Sequence, residues 1–146
     1  MSLPDLVLDA AGVHAYVAAV WPEAAARFDG SVLQLRPGFV RFRRATAERH
    51  VRPGGTIAGP VLMAAVDEAA YALVLAHLGD AALAVTSHLS VEFLRRPQVG
   101  TLLVDVEMLK LGRTQVTMSA RVHVDDPDSP TVAAATIIYS RALLAG

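Results

Sequence analysis

The chain has 146 residues, 53% of them apolar and 18% charged, with a formal net charge of −1. That length fits a single domain spanning residues 1–146 around one core, and the apolar share excludes disordered and fibrous classes. The balanced charge has no basic block, which argues against nucleic acid or an anionic membrane as a partner. Cysteine is absent, so there is no disulfide framework, thiolate metal site or thiol nucleophile, as suits a cytoplasmic protein. The start, Met1-Ser2-Leu3-Pro4-Asp5, lacks the basic and apolar pattern of a signal peptide.

From Asp9 to Phe28 the sequence is Ala-rich. Val13, Val17, Val20 and Trp21 are spaced for one helical face, and Pro22 marks a bend or a new start, giving an N-terminal helical extension over residues 1–28. Two short strands, Ser31 to Leu35 and Phe39 to Arg43, flank Pro37-Gly38 and predict a hairpin. Arg49 to Gly55 is a loop. An apolar helix then starts near Gly59-Pro60, where proline needs no N–H partner, and stops at Gly79-Asp80. Tested as a membrane span, it fails at Asp67 and Glu68, each costing about 2.5–3.5 kcal/mol in a bilayer. A helix apolar nearly all round must instead be covered by the rest of the chain.

Strands predicted from Ala84 onward supply that cover. Ala84 to Leu94 sets His88, Ser90 and Glu92 against Leu89, Val91 and Phe93. Thr101 to Leu111 is a further strand. Arg113 to Val124 alternates Gln115, Thr117, Ser119, Arg121 and His123 with apolar residues, and Thr131 to Arg141 is the last strand. Period-two alternation with short turns means an antiparallel sheet with one wet face. The predicted class is α+β, a sheet curled around one long helix.

Asp67 stands out, because a carboxylate amid apolar helix residues needs a partner or a task. It is either a general base or nucleophile, or a structural group paired with Arg52 or a hydroxyl. Its neighbour Glu68 points about 100° away and reads as a rim or interface residue. The run Gly54-Gly55-Thr56-Ile57-Ala58-Gly59-Pro60 either exposes N–H groups to a carbonyl at a helix N-terminus or is an ordinary loop and cap. Gly59 and Asp67 are eight positions apart, about 12 Å along one helix. One small reacting carbon cannot touch both, so joint action requires two subunits and a site at their interface.

His14, His50, His77, His88 and His123 show no metal-ligand spacing, and no metal or cofactor is expected. No Gly-x-Ser-x-Gly elbow is present. Arg95-Arg96-Pro97 and Lys110-Leu111-Gly112-Arg113 place positive charge at two strand ends, suited to nucleotide phosphates or to solvent alone.

From Arg49 to Thr136 the chain resembles the PaaI-like acyl-CoA thioesterases of the hotdog fold. The family pattern is His-Gly-Gly, an Asp seven residues beyond the second Gly, a strand Ser or Thr, and a late Gly-Arg or Gly-Lys turn. Gly59, Asp67, Thr86 and Gly112-Arg113 match it, and Phe93-Leu94-Arg95 resembles the family's strand ending. The resemblance implies that Asp67 activates water or attacks directly, that Gly59 N–H of another subunit polarises the thioester carbonyl, and that Thr86 positions the water. It also implies substrate or CoA contacts at Arg52, Gly55, Ser87, Arg95, Gly112 and Arg113, and a homodimer that pairs into a tetramer. Three positions depart from the pattern: Ala58 replaces the His, Pro60 the second Gly, and Arg52 a loop Asn. Pro60 also removes one N–H donor. Alongside acyl-CoA hydrolysis, the second reading is a hotdog domain that binds acyl-CoA or another acyl ligand without hydrolysing it.

Overall fold

The computed structural model describes residues 3–27 and 30–141. Phe28, where the predicted helical extension ends, lies outside the described residues, as do both ends of the predicted domain, at 1–2 and 142–146. In chain order the elements are α1 (Ala10–Val20), α2 (Pro22–Arg27), β1 (Gly30–Arg36), β2 (Phe39–Ala45), a 3-10 turn (Glu48–His50), α3 (Gly59–Leu78), β3 (Val85–Phe93), β4 (Thr101–Leu111), β5 (Gln115–Val124) and β6 (Ala133–Ser140). The strands form one antiparallel sheet in the order β1-β2-β4-β5-β6-β3. This is the expected hotdog architecture, with the sheet left open at β1 and β3.

Helix α3 organises the fold. Pro60 lies in its first turn, and Gly79 caps it with a φ of 71°, a backbone conformation that favours glycine. Leu62, Val66, Leu73, Val74 and Leu75 are each at most 1% exposed. At roughly 1.5–3 kcal/mol for each side chain, their burial stabilises the fold by about 7–15 kcal/mol. Ala65, Ala69, Ala70 and Ala76 are equally buried, and their small size brings the helix axis close to the sheet. Length and composition alone would let α3 cross a membrane, yet here it lies against β2, β4 and the other strands.

Three expectations need correction. Val13 is buried, but Val20 and Trp21 are 45% and 46% exposed. Pro22 opens a new helix at that point, so the end of α1 leaves the core before those side chains can bury. Glu68 is not a rim residue: its Oε1 accepts from Arg44 NH1 at 2.9 Å, and its side chain is only 9% exposed. The sheet folds over α3 and carries Arg44 on β2 down to it. His123, expected on the wet face, is buried because its Nδ1 pairs with Ser129 O at 2.7 Å in the following turn.

His77, on the last turn of α3, is 4% exposed and its Nε2 accepts from Gly38 N at 3.0 Å. Burial holds its pKa below the usual value near 6.5. The unfolded chain therefore takes up a proton before the folded one, and stability declines as pH falls below about 6.5. His77→Gln keeps an acceptor for Gly38 without titrating. Its melting temperature is expected to vary less than the parent's between pH 7 and 5.

Candidate active site

Asp67 sits half-buried in the middle of α3, and two hydroxyls meet it. Thr86 Oγ1 donates to Asp67 Oδ1 at 2.6 Å, and Tyr139 OH donates to the same oxygen at 2.8 Å. The Tyr139 hydroxyl also lies 3.1 Å from Asp67 O. Of the two partners considered from sequence, the hydroxyl is the one found. Arg52 of the same chain lines a different cleft from Asp67. Oδ2 makes no hydrogen bond among the described residues. It belongs to a side chain lining an open cleft of about 360 Å³, with Trp21, Tyr71, Ala84 and Val85 among its walls.

The backbone explains how Thr86 arrives there. Leu89 and Val91 of β3 pack on the core, and strict alternation would turn Thr86 to the opposite face. The register between β3 and β6 shifts between Thr86 and His88. This bulge places one extra residue, Ser87, in β3 and re-aims Thr86 toward α3. Ser87 Oγ donates to Ile138 O at 3.1 Å, so the hydroxyl of that predicted substrate contact is engaged in the sheet.

Tyr139 was not anticipated as a site residue. It is 3% exposed, stands opposite Thr86 across the β3–β6 pair, and stacks on Tyr71 with ring centroids 6.1 Å apart. Burial, and next the negative charge of Asp67, push its pKa far above the ordinary tyrosine value. It therefore remains a phenol and a donor. A signal was present in the sequence: Ala133, Ala135, Ile137 and Tyr139 form the buried row of β6, where a hydroxyl requires a partner.

The remaining predicted residues divide between the two ends of the sheet. Gly112 and Arg113 follow β4 at the Asp67 end, since Gln115 and Val85 both flank Ser140. Gly112 is committed to the turn: its N–H donates to Gln115 O at 2.8 Å and its carbonyl accepts from Arg141 NH1 at 3.0 Å. The other end holds Arg52, Gly59 and Arg95 around a second cleft, also about 360 Å³, with Phe93, Leu94 and Arg96. Gly59 N–H has no acceptor among the described residues. Gly55 N–H is taken by Arg52 O at 3.1 Å, and Gly55 has a φ of 83°, so it serves the turn. Arg95 NH1 donates to Thr131 O at 2.6 Å, yet the residue remains exposed. From Thr86 to Phe93, across the bulge, the strand advances about 20 Å. Thus one protomer brings Asp67, Thr86, Tyr139 and Arg113 to one end, and Arg52, Gly59 and Arg95 to the other. Among the described residues no group of three or more His, Asp or Glu is placed to hold a metal ion.

An open antiparallel sheet folded over one long central helix defines a hotdog-type domain. The Thioesterase superfamily profile matches residues 54–131, more than half of the chain. A candidate thioesterase from Silicibacter sp. is 40% identical, with a TM-score of 0.82 over 92% of both chains. The chain belongs to the thioesterase superfamily and is a thioester hydrolase. More distant structures share the fold. A candidate thioesterase from Ralstonia eutropha, related to phenylacetic acid degradation, is 23% identical with a TM-score of 0.76, covering 88% of this chain and 98% of its own. A hypothetical thioesterase from Streptococcus pneumoniae, solved with coenzyme A, is 18% identical with a TM-score of 0.67, covering 77% and 88%. A search of curated proteins found no significant match.

Tyr139→Phe removes one of the two donors on Asp67 Oδ1 and leaves the ring packing in place. Denaturant unfolding is expected to register a loss of about 1.5–3 kcal/mol, the scale of one hydrogen bond to a charged group.

Proposed function

We propose that this protein hydrolyses acyl-CoA thioesters at a site assembled from two subunits, with Asp67 as the catalytic carboxylate. The observation that carries this reading is the clamp on Asp67. With Oδ1 held by Thr86 and Tyr139, Oδ2 is left to the cleft. A carboxylate fixed by one oxygen and open at the other can take a proton from water. Thr86 gives its own proton to Asp67, so its lone pairs accept from that water and orient it. The water oxygen adds to the thioester carbonyl, the carbonyl oxygen becomes an oxyanion, and collapse breaks the carbon–sulfur bond. The departing CoA thiolate takes up the proton that Asp67 removed. Direct attack by Asp67 through an anhydride uses the same geometry. Single turnover in ¹⁸O water separates the two routes, since only attack by Asp67 labels the enzyme carboxylate.

The oxyanion donor is Gly59 N–H of a second subunit. Strand β3 is an open edge, and Leu83, Val85, Phe93 and Leu94 along and beside it are all more than half exposed. Such an edge invites pairing. Antiparallel pairing of two β3 strands about a two-fold axis sets the Thr86 end of one against the Phe93 end of the other. Gly59 travels with Phe93, whose ring lies 3.4 Å from the position a Gly59 Cβ would take. Arg52 comes with it and places positive charge beside the donor, offsetting the N–H that Pro60 lacks. Arg95 of one subunit and Arg113 of the other then flank one nucleotide tail, in keeping with the CoA-bound S. pneumoniae fold. Two such dimers make the expected tetramer, and the cytoplasm, where acyl-CoA is at hand, is the proposed location.

Asp67→Asn is expected to lower acyl-CoA turnover about a hundredfold or more while the melting temperature stays close to the parent's. Full turnover in that variant would remove Asp67 from the mechanism.

The shared site has its own test. Asp67→Asn and Gly59→Pro subunits, each inactive alone, are mixed and reassociated. Heterodimers then hold one intact site, and random pairing of subunits restores about a quarter of parental activity. No recovery, with exchange verified by mass spectrometry, would place both groups in one chain.

A further inference from the structure

The two hydroxyls that meet Asp67 Oδ1 are held in different ways. Thr86 is exposed on β3, an edge strand, beside the register shift that separates it from His88. Tyr139 lies on β6, an interior strand, with Thr86 across one ladder and Val116 across the other. Its ring stacks on Tyr71 with an angle of 22° between the planes. Tyr71 OH donates to Ala82 O at 3.3 Å, and Ala82 N donates to Tyr16 OH at 3.2 Å. All three tyrosines of the chain thus link α1 to the carboxylate.

The hydroxyls also differ in where their protons go. The phenol oxygen lies 2.8 Å from Asp67 Oδ1 and 3.1 Å from Asp67 O, so both of its acceptors belong to one residue. Thr86 has a choice: Asp67 Oδ1 at 2.6 Å, or the phenol oxygen, with which it also hydrogen-bonds. Its proton can turn to the phenol while Tyr139 keeps its hold on Asp67.

The cleft offers Asp67 no cation of its own subunit. Among the described residues lining it, Tyr71 and Tyr139 are phenols, and Glu68 is an anion paired with Arg44 of β2. Arg52 of the partner subunit joins only in the proposed dimer. Hydrogen bonds to a carboxylate favour its charged form, so the hydroxyls carry that task within the subunit.

We propose that Tyr139 is the positioning residue of this site: it fixes the plane of the Asp67 carboxylate and keeps it anionic, and so frees Thr86 to serve the water. The inference rests on the catalytic reading of Asp67. Without the phenol, the carboxylate is left to a threonine on an exposed edge strand, and the aim of Oδ2 is no longer set by the interior of the sheet.

The test follows CoA release from hexanoyl-CoA and phenylacetyl-CoA across pH. In the parent, kcat/KM falls as pH drops and Asp67 takes up a proton. Tyr139→Phe is expected to move that acid limb upward by about one pH unit. It is also expected to lower kcat on the plateau about tenfold, with KM little changed. Thr86→Val is expected to lower the plateau but move the limb less. Replacing Tyr139 by 3-fluorotyrosine, a stronger donor of nearly the same size, preserves the packing and is expected to move the limb downward. A lower melting temperature in Tyr139→Phe with an unmoved limb would make the residue merely structural. A limb that moves as far in Thr86→Val would overturn the division of tasks. If the parent releases no CoA from either thioester, hydrolysis fails instead. ¹³C NMR of aspartate-labelled protein, with Asp67→Asn assigning the signal, then reads the carboxyl titration directly. An upward move of that titration in Tyr139→Phe would still support the hold, and an unmoved one would overturn it.

Discussion

Helix α3 has almost no polar side, and a helix of that kind cannot stand in water. Its valines and leucines need cover around most of the circumference, and its alanines let that cover come close. A single flat sheet would reach one stripe of such a helix, so the sheet curves across it and α1 closes part of the remaining flank. Nearly every other feature of the molecule depends on that wrapping. It brings Arg44 from β2 and Tyr139 from β6 onto one helix, although they are far apart in the chain.

The same wrapping makes a carboxylate at position 67 tolerable. Two hydroxyls from neighbouring strands satisfy one oxygen, and an irregularity in β3 aims one of them. A regular strand would have turned Thr86 outward and left Asp67 with Tyr139 alone. Glu68, one residue on, meets a different solution: it is turned about 100° around the helix and forms an ion pair with Arg44. Adjacent acidic residues thus take different partners, an arginine for Glu68 and two hydroxyls for Asp67. The difference arises from which strand passes each.

Helix length imposes the second constraint. Asp67 and the N-terminus of α3 lie on one rigid rod, too far apart for one small reacting centre to span. The two clefts that flank them carry complementary equipment, a clamped carboxylate in one and a bare N–H with arginines in the other. An open β3 edge with apolar side chains offers a way to unite them, by setting one end of a subunit against the opposite end of its twin.

Much of this was legible in the amino-acid order. Gly59-Pro60 and Gly79 bracket α3 because capping is a local property, and Thr101 to Leu111 alternates as a strand because burial on one face imposes a period of two. Asp67 was conspicuous because a charge in an apolar run has a cost that no local contact removes. What the order of residues could not convey depends on contacts between distant segments. The bulge at Ser87 exists only in the register of β3 against β6. Tyr139 meets Asp67 across 72 positions, and Glu68 meets Arg44 only once the sheet has folded over. The exposure of Val20 and Trp21 comes from where α1 leaves the core, which helical spacing does not encode. Local sequence determined the elements and the charged residue that needed a purpose. Tertiary structure alone decided its partners, because side chains close in space but remote in the chain leave no periodic trace.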